Sequence, residues 1–289
     1  MHQKLKKRSI TAIKLIVSFG LIAWVMRQLN WKEIQLIFKS AQTTYLVLAV
    51  VVFLISQWFS VLRFNLFVRK IGIRLPLTFH WKLYLLGMFY NFFLPGGVGG
   101  DAYKAYFLSK NTNKSLKKVG QIVFIERFLG IVAIGFLLGA IGLLVTTPYP
   151  YYLNVLVFVC AILCTFFLLK WIARWLFVHK KRIHWVFTYS MCIQLLQLLC
   201  VFFLLKSFHI DQFYATYLLL FLISSILSVI SFAGLGIREA VFMYGAVLFQ
   251  FNPEISTTVA LSFSLITALV SFFGVIYLAK QLDIHPSKK

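Results

Sequence analysis

The sequence predicts an all-α polytopic membrane protein, one integral membrane domain over residues 1–289, and three observations carry that reading. Only 12% of residues are charged and 61% are hydrophobic, whereas soluble domains carry about a quarter charged residues. Mean hydropathy is +0.88. Apolar runs of the roughly 20 residues needed to cross a bilayer recur from end to end, with short basic or aromatic breaks between them. They leave no window for an appended soluble domain.

The candidate spans are about 10–29, 44–66, 119–146, 151–170, 184–206, 213–232, 236–250 and 255–280, roughly eight crossings. The first follows a basic start and runs into Arg27 without a small-residue cleavage site, so it reads as a retained span and not a signal peptide. Lys and Arg total 29 against 7 Asp and Glu. That excess would point to nucleic acid in a soluble protein. Here the basic residues fall between apolar runs, where the positive-inside rule places them in the cytoplasm, and no nucleic-acid partner is expected. Eight spans put Lys4 to Arg8, Arg63 to Lys82, Lys104 to Lys118, Lys170 to Arg182 and the terminal lysines on one side, with both termini cytoplasmic. The uncharged Thr146 to Tyr152 and the Asn252-Pro253 turn fall on the other side.

Residues 80–109 depart from simple crossings. An apolar arm, Trp81 to Leu94, meets Pro95-Gly96-Gly97-Val98-Gly99-Gly100, and a shorter arm follows from Asp101 to Leu108. Basic loops flank both ends, which predicts a re-entrant hairpin with the Pro/Gly break at its tip. Irregular backbone at membrane depth persists only where protein or a water-filled cavity satisfies its polar groups, so the tip is a candidate site. A second break, Gly234-Leu235-Gly236-Ile237-Arg238-Glu239, opens an unusually short span. Each break has a Gly-aliphatic-Gly step followed by an acid and an alanine, the pattern expected of an internally duplicated transporter with its site between repeats.

Three of the seven acids, Asp101, Glu126 and Glu239, lie in or beside membrane segments, where ionisable groups are costly and tend to be paired or functional. Asp101 has Lys104 at i+3. Glu126 and Arg127, like Arg238 and Glu239, are sequence neighbours that do not face each other on a helix, so they are expected to reach partners on other helices. Asp101 reads equally well as a first-turn acid of the helix after the glycines, and Glu126-Arg127 as an interfacial pair. A Gly-rich turn feeding a helix N-terminus presents N–H groups to an anion. A phosphodiester suits such a site, with Lys104, Arg127 or Arg238 adding charge and the acids holding a headgroup ammonium or balancing the cations. Asn91, Pro95, Gly96, Gly97, Gly99, Gly100, Gly234 and Gly236 complete the candidate substrate-binding set. Arg63, near a span end, reads first as interfacial and second as reaching the site. Gly135 and Gly139 form a GxxxG step suited to close helix packing.

Other chemistry finds no motif. The cysteines Cys160, Cys164, Cys192 and Cys200 lie in apolar stretches without metal or disulfide spacing, and no histidine has ligand spacing. The chain has no Asp-x-Asp pair, P-loop or Gly-x-Ser-x-Gly elbow, so no cofactor is expected and an enzyme is the less favoured of the readings left open.

The run Asn91-Phe92-Phe93-Leu94-Pro95-Gly96-Gly97-Val98-Gly99-Gly100-Asp101, then Glu126-Arg127, then Gly234-Leu235-Gly236-Ile237-Arg238-Glu239 resembles the lysylphosphatidylglycerol synthase transmembrane-region family, from about Arg63 onward. These flippase-like proteins include the membrane part of the bacterial multiple peptide resistance factor. In that factor a separate soluble domain makes the aminoacylated lipid. The chain departs from the family pattern in having no proline just upstream of Gly234. The resemblance implies a lipid flippase of the plasma (inner) membrane, moving an anionic or amino-headgroup phospholipid or a lipid-linked intermediate. The residues leave open an accessory or catalytic subunit of envelope lipid or polysaccharide synthesis, with Asp101, Glu126 or Glu239 as base, a small-solute or ion transporter, and also homo-oligomerisation.

Overall fold

The computed structural model describes residues 31–93, 99–146, 150–175, 180–228 and 234–279, and among these all regular structure is helical. The expected span at 10–29 and the candidates Pro95, Gly96 and Gly97 lie outside the described residues. The helices are α1 (Trp31–Ser40), α2 (Thr43–Lys70), α3 (Leu77–Phe93), α4 (Gly99–Asn111), α5 (Leu116–Gly142), α6 (Tyr151–Trp175), α7 (Lys180–Ser207), α8 (Tyr214–Leu227), α9 (Ile237–Leu248), α10 (Pro253–Phe272) and α11 (Val275–Ala279).

Five segments are long and apolar enough to cross a membrane: Thr43–Lys70, Leu116–Gly142, Tyr151–Arg174, Ile183–Ser207 and Pro253–Tyr277. They match five expected spans to within a few residues, because an unbroken apolar run has only the helix to satisfy its backbone in lipid. The protein is therefore a multi-pass membrane protein. Their ends follow local chemistry: Ser115 caps α5 by accepting from the Lys118 N–H, and Asn252 caps α10 by accepting from the Ile255 N–H, with Pro253 at the first helical position.

Five of the eight expected crossings appear as long apolar helices among the described residues. The segments 213–232 and 236–250 appear as α8 and α9, of 14 and 12 residues, about 21 and 18 Å long against a hydrocarbon core of about 30 Å. They run antiparallel: Tyr217 meets Phe251 near one end, Leu220 packs on Gly245, and Phe221 lies under Arg238 near the other. The reason is the break itself. Gly234 and Gly236 have φ of +83° and +80°, left-handed values that turn the chain and are costly for any residue with a Cβ.

α3 and α4 form a second antiparallel pair. Phe79 meets Phe107, Tyr84 meets Lys104 and Tyr90 meets Tyr103, contacts that step in opposite directions along the two helices. The pair is close because both crossing positions are glycine: a Cβ on Gly100 would lie 1.7 Å from the Gly87 carbonyl oxygen. The GxxxG expectation holds at one position only. A Cβ on Gly139 would meet Ala161 and Phe158 of α6, whereas Gly135 has open space around it.

α2 lies along α7 in the most extensive helix contact, and α5, α8 and α10 join them around a core that includes Phe53, Leu204, Phe221, Phe242 and Phe263. α6 is outermost, with only 17% of its apolar window buried; its Phe166, Phe167 and Trp171 face outward as lipid-facing side chains do. α1 falls between the expected spans 10–29 and 44–66, where no element was expected. It is amphipathic and sets Ile34 against Met243.

Candidate functional site

Six of the candidate residues meet at one cavity of about 560 Å³, lined by Asn91, Asp101, Lys104, Glu126, Arg127 and Arg238, together with Arg63. The volume falls within the roughly 300–1,000 Å³ of ligand pockets. Its walls come from mid-length of four long helices: Gln57 of α2, Gly130 of α5, Gln194 of α7 and Phe263 of α10. The broken ends of both helix pairs reach it, Asn91 and Asp101 from one, Ser228 and Arg238 from the other.

At the α3–α4 side the charges form a chain. Lys104 Nζ lies 2.9 Å from Asp101 Oδ1 and 3.8 Å from Glu126 Oε2. Arg127 Nε donates to the other Asp101 oxygen, and Arg63 Nη2 lies 3.4 Å from Glu126 Oε1. Lys104 also sits over the rings of Phe64 and Tyr84 at 5.0 and 4.9 Å. Charge at this depth is retained only when paired and hydrogen-bonded, and Asp101, Lys104 and Glu126 are all under a tenth exposed. Arg63 corrects the interfacial reading. α2 continues to Lys70, so Arg63 lies about 10 Å inside the helix end, where it also donates to Ser190 Oγ at 2.9 Å. Glu126 and Arg127 reach partners on other helices as expected, Glu126 buried and Arg127 with 38% of its side chain exposed.

At the α8–α9 side the acid is a scaffold. Glu239 Oε2 accepts the Gly236 N–H at 2.7 Å, which is the N3 half of a capping box, and Glu239 Oε1 accepts from Ser264 Oγ at 2.7 Å. Ser264 in turn accepts from Arg238 Nη1 at 3.1 Å, and the guanidinium lies 4.8 Å from the Phe263 ring centre. Glu239 thus holds Arg238 in place through one hydroxyl and does not line the cavity.

Two of the backbone N–H groups at the breaks have partners within the protein. The Gly100 N–H donates to Asn91 Oδ1 at 2.8 Å, and the Gly236 N–H is taken by Glu239. Gly99, Gly100, Gly234 and Gly236 shape the turns and do not line the cavity, so its positive charge comes from side chains.

Sequence reasoning passed over Gln57, Gln194, Gln197, Ser225 and Thr267, which also line the cavity. Their signal was available: amides in mid-span, two of them three residues apart and so on one helix face.

Replacing Ser264 by alanine removes the acceptor of Arg238 and a donor to Glu239. We expect a loss of about 1–3 kcal/mol, read as a lower melting temperature in detergent, with Ser264→Thr restoring most of it.

A family model described as the lysylphosphatidylglycerol synthase TM region matches residues 11–278. The chain belongs to that family. No curated protein is matched as a relative. In this member of the lysylphosphatidylglycerol synthase TM region family, the Asn91–Asp101 break, Glu126-Arg127 and the Gly234–Glu239 break converge on the charged cavity, through five side chains that line it, Asn91, Asp101, Glu126, Arg127 and Arg238, and through Glu239, which positions Arg238.

Proposed function

We propose that the protein is a lipid translocase of the plasma membrane, passing the headgroup of a phospholipid or lipid-linked molecule between leaflets through the charged cavity. The carrying observation is the cavity's position: four cations and two carboxylates meet at mid-length of the long helices, where the ends of two broken helix pairs converge. Discontinuous helices meeting near the bilayer midplane at a polar site are the arrangement that secondary transporters use. A midplane site is also what a headgroup must pass, since the apolar core is its barrier.

In this reading the two helix pairs are re-entrant hairpins that enter from opposite faces. α3–α4 lies between the basic segments Arg69 to Arg74 and Lys110 to Lys118, and so enters from the cytoplasm. α8–α9 begins and ends on the side where α7 ends and α10 begins, and so enters from the outside. Replacing two crossings by one hairpin leaves the parity unchanged, so both termini remain cytoplasmic, and the two hairpins are the halves of the internal repeat. Arg63 and Lys104 leave the cytoplasmic count for the cavity; Arg69, Lys70, Arg74, Lys110, Lys114, Lys117 and Lys118 are ample without them.

A catalytic role for the acids is less favoured. Asp101 and Glu126 are each held by two cations, and both Glu239 oxygens are engaged, which leaves no carboxylate free to take a substrate proton.

The test is a dithionite quench of acyl-labelled phospholipid in vesicles containing the purified protein. We expect inner-leaflet label to become accessible in wild type and to stay protected in protein-free vesicles. Protection unchanged for every phospholipid tested would sink the translocase reading.

A further inference from the structure

We propose that α1 is an interfacial helix that docks on an anionic lipid surface at the outer leaflet through Lys32, Leu36 and Lys39, and that this contact braces α9 of the outer helix pair. The site is separate from the cavity, and its occupant is the headgroup layer of the bilayer and not a transported molecule. Of the proposed function it needs only the outward direction of α7.

Helical spacing divides α1 into two faces. Ile34 and Ile37, three residues apart, turn inward, Ile34 onto Met243 and Ile37 onto the core that holds Leu204 and Phe263. Lys32, Gln35, Leu36 and Lys39 share the opposite face and are all exposed, Leu36 by 64%. A leucine with lysines one turn before and after it is the pattern of a helix lying in the headgroup layer: the leucine enters the acyl boundary while the lysines reach phosphates. Two lysines against one acid, Glu33, leave α1 with a positive charge that an anionic surface attracts.

Hydrogen bonds fix the depth at which that face is presented. The Gln42 N–H donates to the Ser207 carbonyl at 2.9 Å, Ser207 Oγ donates to the Gln42 carbonyl at 3.2 Å, and His209 Nε2 donates to the Ser40 carbonyl at 3.3 Å. Phe38 meets Phe208 edge-on at 5.7 Å. Residues 207–209 follow the outer end of α7, so α1 is tied at the level where that span emerges from the hydrocarbon.

The inner face carries the contact toward the cavity. Met243 lies one turn beyond Glu239 on α9, and Ala240 packs against the same Ile34–Met243 contact. α1 also lies along α10, which carries Ser264. A helix held by lipid therefore stands behind the segment that presents Arg238.

The experiment is amide hydrogen exchange of the full-length protein in nanodiscs of phosphatidylcholine alone, or of phosphatidylcholine with an equal amount of phosphatidylglycerol, read on peptides covering 31–40 and 237–248. We expect exchange in both segments to slow by about tenfold with the anionic lipid, the effect of two lysines at a charged surface, and the difference to vanish at high salt. Lys32→Gln/Lys39→Gln should abolish the difference, and Leu36→Ser should reduce it by about threefold or more. All three positions are exposed, and the cavity charges stay in place. The basic turns on the cytoplasmic side respond to anionic lipid in wild type and variants alike, which separates them from α1. Equal exchange in the two lipids, or a difference that survives the double lysine variant, overturns the docking. Slowing at 31–40 without slowing at 237–248 overturns the brace. Inositol hexakisphosphate that slows 31–40 in phosphatidylcholine as much as phosphatidylglycerol does would make the partner a soluble anion and overturn the lipid surface. A quench assay without translocation removes the transport reading and leaves these exchange rates to be judged by themselves.

Discussion

Lys104→Met should destabilise the protein by about 3 kcal/mol or more and abolish lipid translocation. Methionine keeps most of the side-chain volume between Phe64 and Tyr84, so the loss reports charge. Lys104 is, among the described residues, the cation that touches both cavity carboxylates, at 2.9 and 3.8 Å. Without it Asp101 keeps Arg127 and Glu126 keeps Arg63, but the α4–α5 link between the two pairs is gone. Removing one member of a buried pair costs about 3–5 kcal/mol because the partner remains buried and under-compensated. The comparison is thermal unfolding of wild type, Lys104→Met and Lys104→Met/Asp101→Asn in one detergent. The double variant should recover part of the loss, since neutralising Asp101 removes the stranded charge. A single variant that melts with wild type would show that the charges are solvated and that the cavity is not the low-dielectric site described.

Gly100→Ala should be more severe still, with little folded protein recovered. The added methyl would stand 1.7 Å from the Gly87 carbonyl oxygen and 2.9 Å from its Cα, so backbone must yield to backbone. Overpacking a core with a side chain that can shift costs about 1–3 kcal/mol, and here no flexible group can move aside. Separating α3 from α4 would also pull the Gly100 N–H off Asn91 and displace Asp101 and Lys104 from Glu126. Gly135→Ala is the control. It has no heavy atom within 4 Å, and alanine is the better helix former by up to about 1 kcal/mol, so its melting temperature should be unchanged or higher. Monodisperse yield on gel filtration reads both variants; a Gly100→Ala protein that elutes and melts like wild type would remove the close helix crossing from the argument.

The membrane class and the long helices were legible in the chain because lipid imposes one solution on an apolar run: the backbone must satisfy itself within the segment. The two glycine breaks and the acids beside them were legible for a related reason. Ionisable and irregular elements in such surroundings are too costly to be incidental, and composition alone exposes them. Tertiary packing decided what sequence spacing could not carry. Arg63 looks interfacial by position, and only the continuation of α2 to Lys70 and the approach of α5 bring it to Glu126. Glu239 looks like a binding residue, but its oxygens are claimed by Gly236 and by Ser264, 25 residues further along the chain. The segments 213–232 and 236–250 have the composition of crossings, and it is packing that sets α8 against α9, with Leu220 on Gly245 and Phe221 under Arg238. Hydropathy measures what a segment can be buried in. Which charges meet there depends on distances between helices, and these are set by packing contacts far apart in sequence.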